Sequence, residues 1–499
     1  MTHDTPPRGV NLHPSNHTPS ALKQDTFDVI VIGSGQAGRN LAARTAEGGL
    51  STLIVEEELF GGDCPFWACI PSKAMLRPNE TLEVGRGMNG SKQLIDTGKT
   101  VDVDAVFTRR DGFVQMWDDT FIVDLSLSQK CSIVRGSATL TDVKRVEVKN
   151  VNGERITITA NNAVVLSTGS DALIPTIPGL ADIHYWTPRH ATSTNTVPED
   201  LLILGGGAVG TEMATVFLSL GSKVTILGSN ESLLPKFEPE AGRRVAAALT
   251  AKGAKVVIGA SVTSFEKTAS GFIAKLSTGE TIPGQIVLIS TGRKPRSYGI
   301  GLEAVGLDPN TLKVDDSLSV TGTKDHWLYA IGDVNGRNPV THMAVYQARA
   351  AALTILARAQ NIPNVEPKPW SKYAATADHE TFPQVVFTDP NVASVGLTVQ
   401  DAKNKGLNIK EAVAPGGFQF PGAWVHAEHN YDGWAQWVID TDRNVLVGAT
   451  IIGREAVDLL HASTVAIVGE IPVEKLWHAV PSFPTMSEIY VALLKASGY

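Results

Sequence analysis

The sequence predicts an α/β protein with two doubly wound, Rossmann-like dinucleotide-binding domains and a C-terminal α+β domain. Three observations predict this. A strand, glycine loop, helix and second strand run from residue 28, the pattern recurs from residue 201, and glycine-loop signals stop near residue 366.

The first unit reads Asp28-Val-Ile-Val-Ile-Gly33-Ser-Gly35-Gln-Ala-Gly38, a buried strand running into a tight turn. A helix-like segment, Arg39 to Glu47, and a second strand, Thr52-Leu-Ile-Val-Glu56, follow. Gly33 permits the turn, Gly35 lets a pyrophosphate approach the backbone, and Gly38 lets the helix pack closely. The helix N-terminus favours phosphate charge. Glu56 lies about 20 residues on, where a carboxylate accepts hydrogen bonds from an adenosine ribose.

The second unit reads Leu201-Leu-Ile-Leu-Gly205-Gly-Gly207-Ala-Val-Gly210-Thr-Glu212, followed by the strand Lys223-Val-Thr-Ile-Leu227. Two such units in one polypeptide imply two dinucleotides that exchange hydride. Between them, Arg145–Val148 and Glu154–Thr159 alternate as a hairpin across Asn152-Gly153, a strong turn signal. Apolar strands ending in Thr168-Gly169 and Thr291-Gly292 close the two units. The boundaries so read are a disordered tail over 1–26, a first dinucleotide unit over 27–169 resumed at 293–365, a second over 170–292, and a third domain over 366–499.

Composition narrows the class. At 43% hydrophobic and 19% charged, the 499-residue chain can bury sizeable cores. A net charge of −8 argues against a nucleic-acid partner, and apolar runs are strand-sized, too short to span a membrane. Three cysteines make no disulfide scaffold, so a reducing, cytoplasmic compartment is expected. Cys131 lies in an apolar run and reads as core.

The other two cysteines lie in Gly61-Gly-Asp-Cys64-Pro-Phe-Trp-Ala-Cys69-Ile-Pro-Ser-Lys73. The spacing, about one helical turn, puts both sulfurs near one face within bridging reach. A thiol at a helix start also gains thiolate character. A dithiol beside a dinucleotide loop points to electron transfer between a cofactor and a disulfide. Two buried thiols, or two ligands of a metal site, are the alternatives, though no second pair stands near to complete a four-ligand set.

With these motifs in order, and with Leu328-Tyr-Ala-Ile-Gly332-Asp333 and Pro484-Thr-Met-Ser-Glu488 following, the chain resembles the class I flavoprotein pyridine nucleotide-disulfide oxidoreductases, the family of dihydrolipoamide dehydrogenase, glutathione reductase and mercuric reductase. The resemblance spans about residues 27–492. It implies FAD on Gly33, Gly35, Gly38 and Glu56, with Asp333 at the ribityl or pyrophosphate portion. It implies that Gly62, Gly136, Thr168, Gly169, Gly292 and Gly332 line the cofactor sites, and that Gly205, Gly207, Gly210 and Ser229 hold NAD(P)H. Cys69 would face the flavin, Cys64 would exchange with substrate, and Lys73, paired with Glu212, would sit near the reactive ring edge. The third domain would form a homodimer, placing the C-terminal segment over the partner's disulfide. No resident metal is implied.

Two departures qualify the activity. Phe483 stands where the family carries its acid–base His, although Glu488, which would orient that His, remains. Phenylalanine carries no proton, and His478, five residues upstream, is the one nearby substitute. Within the redox loop, Phe66 and Trp67 either pack between helices or form an aromatic wall that narrows access to Cys64. At the nicotinamide site, Gly228 replaces an NAD-selective carboxylate and is followed by Ser229 and Asn230. NADPH acceptance is therefore expected, with NADH also usable.

The expected function is transfer of electrons from NAD(P)H through FAD to the Cys64–Cys69 disulfide and on to a disulfide or other small-molecule acceptor. A quinone reductase using the flavin directly is the alternative, and a flavin-binding interaction protein without turnover is the third reading.

Overall fold

The computed structural model describes residues 9–95, 98, 100–414, 418–428 and 431–499. The first sheet has seven strands: β1 (Thr26–Ile32), β2 (Thr52–Glu56), β3 (Ser132–Arg135), β4 (Ser137–Asp142), β5 (Arg145–Lys149), β6 (Arg155–Leu166) and, much later, β17 (Leu328–Ala330). Its order is β3-β2-β1-β6-β5-β4, with β17 added parallel to β6. The parallel strands are apolar throughout because both faces are covered. Val29, Val31 and Ile54 point into one core with α1 (Gln36–Glu47) and α9 (Thr341–Ala359), while Ile30, Ile32 and Leu53 point into another beneath the β4–β5 hairpin. The β5–β6 pair is the hairpin expected across Asn152-Gly153.

Between β2 and β3 lie α2 (Asp63–Phe66), α3 (Cys69–Gly87), α4 (Val103–Phe113) and α5 (Thr120–Ser128). The chain then leaves through β7 (Ser170–Ala172), which pairs later with β16 (Arg293–Pro295).

The second sheet is parallel, in the order β11-β10-β9-β15-β8. It comprises β8 (Tyr185–Trp186), β9 (Asp200–Leu204), β10 (Lys223–Gly228), β11 (Lys255–Ile258) and β15 (Ile286–Ile289), with α6 (Pro188–Ser193), α7 (Ala208–Ser219) and α8 (Pro239–Ala251) interleaved. One face packs on α7 and α8. The other packs on the antiparallel sheet β12 (Val262–Lys267), β13 (Phe272–Leu276) and β14 (Thr281–Gly284), where Phe265 meets Phe272 edge-on.

The third domain is an antiparallel sheet, β18-β19-β22-β21-β20, formed by β18 (Pro383–Val386), β19 (Val392–Gly396), β20 (Ile409–Val413), β21 (Trp434–Asp440) and β22 (Val445–Ile452). The helices Ala456–Val468 and Ile489–Ser497 cover one face. Two doubly wound α/β units followed by a mixed domain is thus the observed architecture.

Of the tail expected over 1–26, residues 1–8 lie outside the described residues. Residues 9–25 differ from the expectation: they run along the first sheet, with a short turn at Pro19–Ala21 and Pro19 buried. Val10, Leu12 and Leu22 pack against the two cores there, apolar contacts that a polar, proline-rich composition conceals. Cys131, read as core, is 4% exposed just before β3, and burial pushes its thiol up to about 11.

Candidate functional site

Both glycine loops are built alike. Gly35 and Gly207 precede the first residues of α1 and α7, and no side chain caps either helix. A Cβ on either glycine would meet nothing within 4 Å, whereas one on Gly38 would stand 2.1 Å from the Gly33 carbonyl and one on Gly210 1.9 Å from that of Gly205. The third glycine therefore seats each helix, and the middle one leaves uncapped N–H groups facing open space. Two such cradles fit two pyrophosphates.

Glu56 ends β2 almost fully buried. Its Oε2 accepts from the backbone and hydroxyl of Ser34 at 2.8 and 2.6 Å, and its Oε1 from the Glu58 N–H at 2.9 Å. Burial pushes its carboxyl up while these donors oppose the shift. A carboxylate has about four acceptor sites, so the fixed Glu56 retains capacity for a ribose. Gly136 follows β3 and donates its N–H to the Glu56 carbonyl at 2.8 Å.

The redox loop differs from a single helical turn. Cys64 lies in α2 and Cys69 opens α3, with a break at Trp67 and Ala68, whose backbone angles leave the helical region. Asp63 shapes the break: its carbonyl accepts from the Trp67 and Ala68 N–H groups at 2.7 and 2.8 Å. A Cβ on Gly62 would stand 2.8 Å from the Gly35 Cα, so this loop abuts the first phosphate cradle. Phe66 and Trp67 are 2% and 5% exposed, and Trp67 packs on Trp117 with ring centroids 5.8 Å apart. They are core between helices; the aromatic-wall reading is corrected, because Trp117 offers a buried partner that no local pattern reveals.

Cys64 and Cys69 are both free thiols and partly exposed. The hydrogen bond from the Cys64 thiol draws Cys69 down to about 6 against the opposing effect of burial, helped by the Thr341 hydroxyl and the Lys73 charge. The same hydrogen bond, with burial, pushes Cys64 up. Cys69 is therefore the more acidic of the two thiols. The Thr341 Oγ1 lies 3.2 Å from the Cys69 Sγ at the first turn of α9.

Lys73, one turn into α3, reaches Glu212 on α7, which packs against it; Nζ and Oε2 are 2.7 Å apart. The other Glu212 oxygen accepts from the Phe387 N–H at 3.0 Å, and the Lys73 ammonium lies 4.6 Å from the centre of the Phe387 ring. An ion pair between helices of the first and second units thus fixes the cation beside the cysteines.

Asp333, in the turn Gly332–Asn335, accepts from the Ser170 hydroxyl at 2.6 Å, and Ser170 accepts from Arg293 Nε at 2.6 Å. The Thr168 hydroxyl donates to the Arg296 carbonyl at 2.6 Å, and the N–H of Arg296 donates to the Gly169 carbonyl at 3.0 Å. Gly292 precedes β16, so Thr168, Gly169, Gly292, Gly332 and Asp333 converge where the chain crosses between the two units. Ser229 is exposed just beyond β10, and Gly228 is buried at its end.

Glu488 stands apart. Its Oε1 accepts from the Thr485 and Gly422 N–H groups, each at 3.0 Å, capping its own turn. Phe483 is 74% exposed, and His478 is exposed with its ring edge-on to Trp477. Within one chain, no hydrogen bond or ion pair links Phe483, His478 or Glu488 to the cysteines among the described residues. Asp63, Arg189, Thr341 and Phe387 were missed from sequence; only the position of Asp63 beside Cys64 could have drawn attention. Among the described residues, no cluster of three or more His, Cys, Asp or Glu side chains could hold a metal ion.

Two nucleotide cradles facing a dithiol define a flavin- and pyridine-nucleotide-linked redox enzyme. Residues 27–348 match the pyridine nucleotide-disulphide oxidoreductase family and residues 382–494 its dimerisation domain; the chain belongs to this family. It is 30% identical over 477 residues to the dihydrolipoyl dehydrogenase of Chlamydia muridarum, covering 93% of this chain and 96% of that one. It is 29% identical over 480 residues to the mercuric reductase of Staphylococcus aureus, covering 95% and 83%. The flavoprotein disulfide reductase RclA of Escherichia coli shares the fold with a TM-score of 0.79 at 22% identity, covering 95% and 99%. The protein is accordingly an NAD(P)H-dependent FAD oxidoreductase that passes electrons to a redox disulfide. No helix among the described residues is long and apolar enough to cross a membrane.

Proposed function

We propose that the enzyme reduces a small disulfide or similarly thiophilic acceptor through Cys64, without the acid–base His usual in its family. The placement of the dithiol carries this reading: Cys64 and Cys69 are free and partly exposed in a loop that abuts the first phosphate cradle, with Cys69 against Thr341. FAD, when bound, supplies the redox step between NAD(P)H and the cysteines. Gly33, Gly35, Gly38, Glu56 and Asp333 hold it, and Gly205, Gly207, Gly210 and Ser229 hold the nicotinamide nucleotide. Lys73, fixed by Glu212, supplies positive charge where the ring gains electron density.

In sum, NAD(P)H reduces the Cys64–Cys69 disulfide to the Cys64 thiol and the Cys69 thiolate, giving NAD(P)⁺, and the proton on Cys64 is the one carried by the hydride. Cys64 loses its proton to water, attacks the acceptor disulfide to form a mixed disulfide, and releases the first acceptor thiolate. Cys69 then attacks Cys64, releases the second, and restores the internal disulfide. The acceptor's leaving group takes its proton from water, because Phe483 cannot supply it. Acceptors with acidic thiols are favoured, since their thiolates leave without assistance. A homodimer in a reducing, cytoplasmic compartment fits the dimerisation domain and the free dithiol, and Gly228 supports a preference for NADPH. The exposed Phe483 favours a second reading, in which a quinone takes electrons from the flavin directly.

Anaerobic reduction with NADPH, followed by a screen of disulfides, quinones and thiophilic metal ions, separates the two. The Cys64→Ser variant should lose disulfide turnover. If it keeps full quinone reduction, and the wild type reduces no disulfide, the quinone reading replaces the first.

A further inference from the structure

Residues 9–25 precede the matched family region yet follow a fixed path over one end of the first sheet. The His13 Nδ1–H donates to the Glu57 carbonyl at 2.6 Å. Arg135 grips the segment twice: its Nε donates to the Asn16 Oδ1 at 2.6 Å, and its backbone N–H to the His17 carbonyl at 2.9 Å. Farther along, the Ser20 hydroxyl donates to Glu154 at 3.1 Å, and the Asp25 carbonyl accepts from the Thr159 N–H at 2.9 Å. Val10 and Leu12 anchor the start in one core and Leu22 the end in another.

The anchor points are informative. Glu57 is the chain neighbour of Glu56, and Arg135 that of Gly136. Arg135 is 4% exposed; its remaining donors go to the Glu58 carbonyl at 3.2 Å and to Asp119 at 3.0 Å. One buried guanidinium therefore joins the segment, the turn after β2 and the end of β3, the two places that flank the adenosine end of the FAD cradle.

We propose that residues 9–25 form a strap that closes the adenosine end of the FAD site and slows departure of the cofactor, an inference resting on the assignment of Glu56 and Gly136 to FAD. The strap braces the two flanking turns; when it lifts, the turn after Glu56 loses its hydrogen bond to His13 and the Arg135–Gly136 corner its bonds to Asn16 and His17, and the adenosine end of the site opens. The Asn16→Ala, His13→Ala double variant removes two hydrogen bonds while leaving the apolar anchors, and should raise the FAD dissociation rate about tenfold. A chain lacking residues 1–25 should show a larger increase.

The test measures the FAD content of the purified full chain, then the appearance of free-flavin fluorescence after dilution, with far-ultraviolet circular dichroism confirming that each variant is folded. A full chain that binds no FAD would overturn the site assignment itself. A full chain that holds FAD, with the folded double variant releasing it no faster, would overturn the strap alone.

Discussion

Asp63, the residue before Cys64, accepts hydrogen bonds from Arg189 Nη2 at 2.7 Å and from Arg293 Nη2 at 2.8 Å. Arg189 stands on α6, which packs on β8 and β15 of the second sheet; Arg293 begins β16, where the chain returns to the first unit. Arg189 also pairs with Glu58 at 3.0 Å, and Arg293 leads through Ser170 to Asp333. Burial alone would push the Asp63 carboxyl up, but the two guanidiniums override it and hold it below the usual carboxylate range. The redox loop is thereby tied electrostatically to both nucleotide units.

Asp63→Asn should remove the counter-charge that the two guanidiniums share, leaving Arg189 only Glu58, and loosen the anchor of Cys64. The groups are partly exposed, so the stability cost is about 1–3 kcal/mol, seen as a fall of a few degrees in Tm. Disulfide turnover should fall roughly tenfold, while NADPH oxidation by a one-electron dye that bypasses the dithiol should hold. Asp63→Glu should recover part of the loss. Equal loss in both assays would show that Asp63 serves the whole active site rather than Cys64.

The low proton affinity of Cys69 fixes a pH dependence. A lowered pKa means that the charged form persists as the pH falls from 8 and is lost only below about 6. After reduction by NADPH, the long-wavelength absorbance of a thiolate beside flavin should therefore survive to about pH 6 and fade below it. Cys69→Ser should abolish it; Cys64→Ala should keep it but shift its midpoint upward, since the Cys64 thiol is the main stabilising donor. Cys131, pushed up to about 11, should stay silent to alkylation across this range.

Local signals carried the two cradles. In β1 and Gly33–Gly38, and again in β9 and Gly205–Gly210, strand, turn and helix start are contiguous, so each requirement leaves its own residue type in place. Glu56 followed from its offset after the first glycine loop, and the Lys73–Glu212 pair from the family resemblance. What stayed hidden depends on contacts distant in sequence. Thr341 meets Cys69 across 272 residues, Arg293 meets Asp63 across 230, and Trp117 decides the burial of Trp67 from 50 residues away. The strap was concealed for another reason: its polar, proline-rich composition resembles a disordered tail, yet three apolar side chains and one buried arginine fix its path.

Gly228 tests the nucleotide preference. It is buried at the end of β10, where a Cβ would meet nothing closer than 3.7 Å, so no steric demand requires glycine there. Gly228→Glu should restore a ribose acceptor and repel a 2′-phosphate. The ratio of kcat/KM for NADPH over NADH should fall at least about tenfold, the worth of one good charged hydrogen bond. Because a Cβ there makes only ordinary van der Waals contacts, the backbone of β10 should keep its place.

Phe483→His asks whether the missing proton carrier alone limits disulfide reduction. Phe483 is 74% exposed within one chain, so the exchange should leave the fold of each protomer intact. Glu488 is already fixed through its Oε1 by Thr485 and Gly422, and its Oε2 accepts no hydrogen bond among the described residues. That free oxygen can orient an imidazole five residues upstream, as a carboxylate does for an acid–base His. In the homodimer the new side chain should face the partner's dithiol, assist deprotonation of Cys64 and protonate the leaving thiolate. Reduction of disulfides with poorly acidic thiols should rise about 100-fold, with a bell-shaped pH profile absent from the parent. Disulfides with acidic thiols should gain little, because their thiolates leave unaided. A uniform gain across both classes would indicate improved binding instead, and no gain in either would place the limiting step before Cys64 reaches its acceptor.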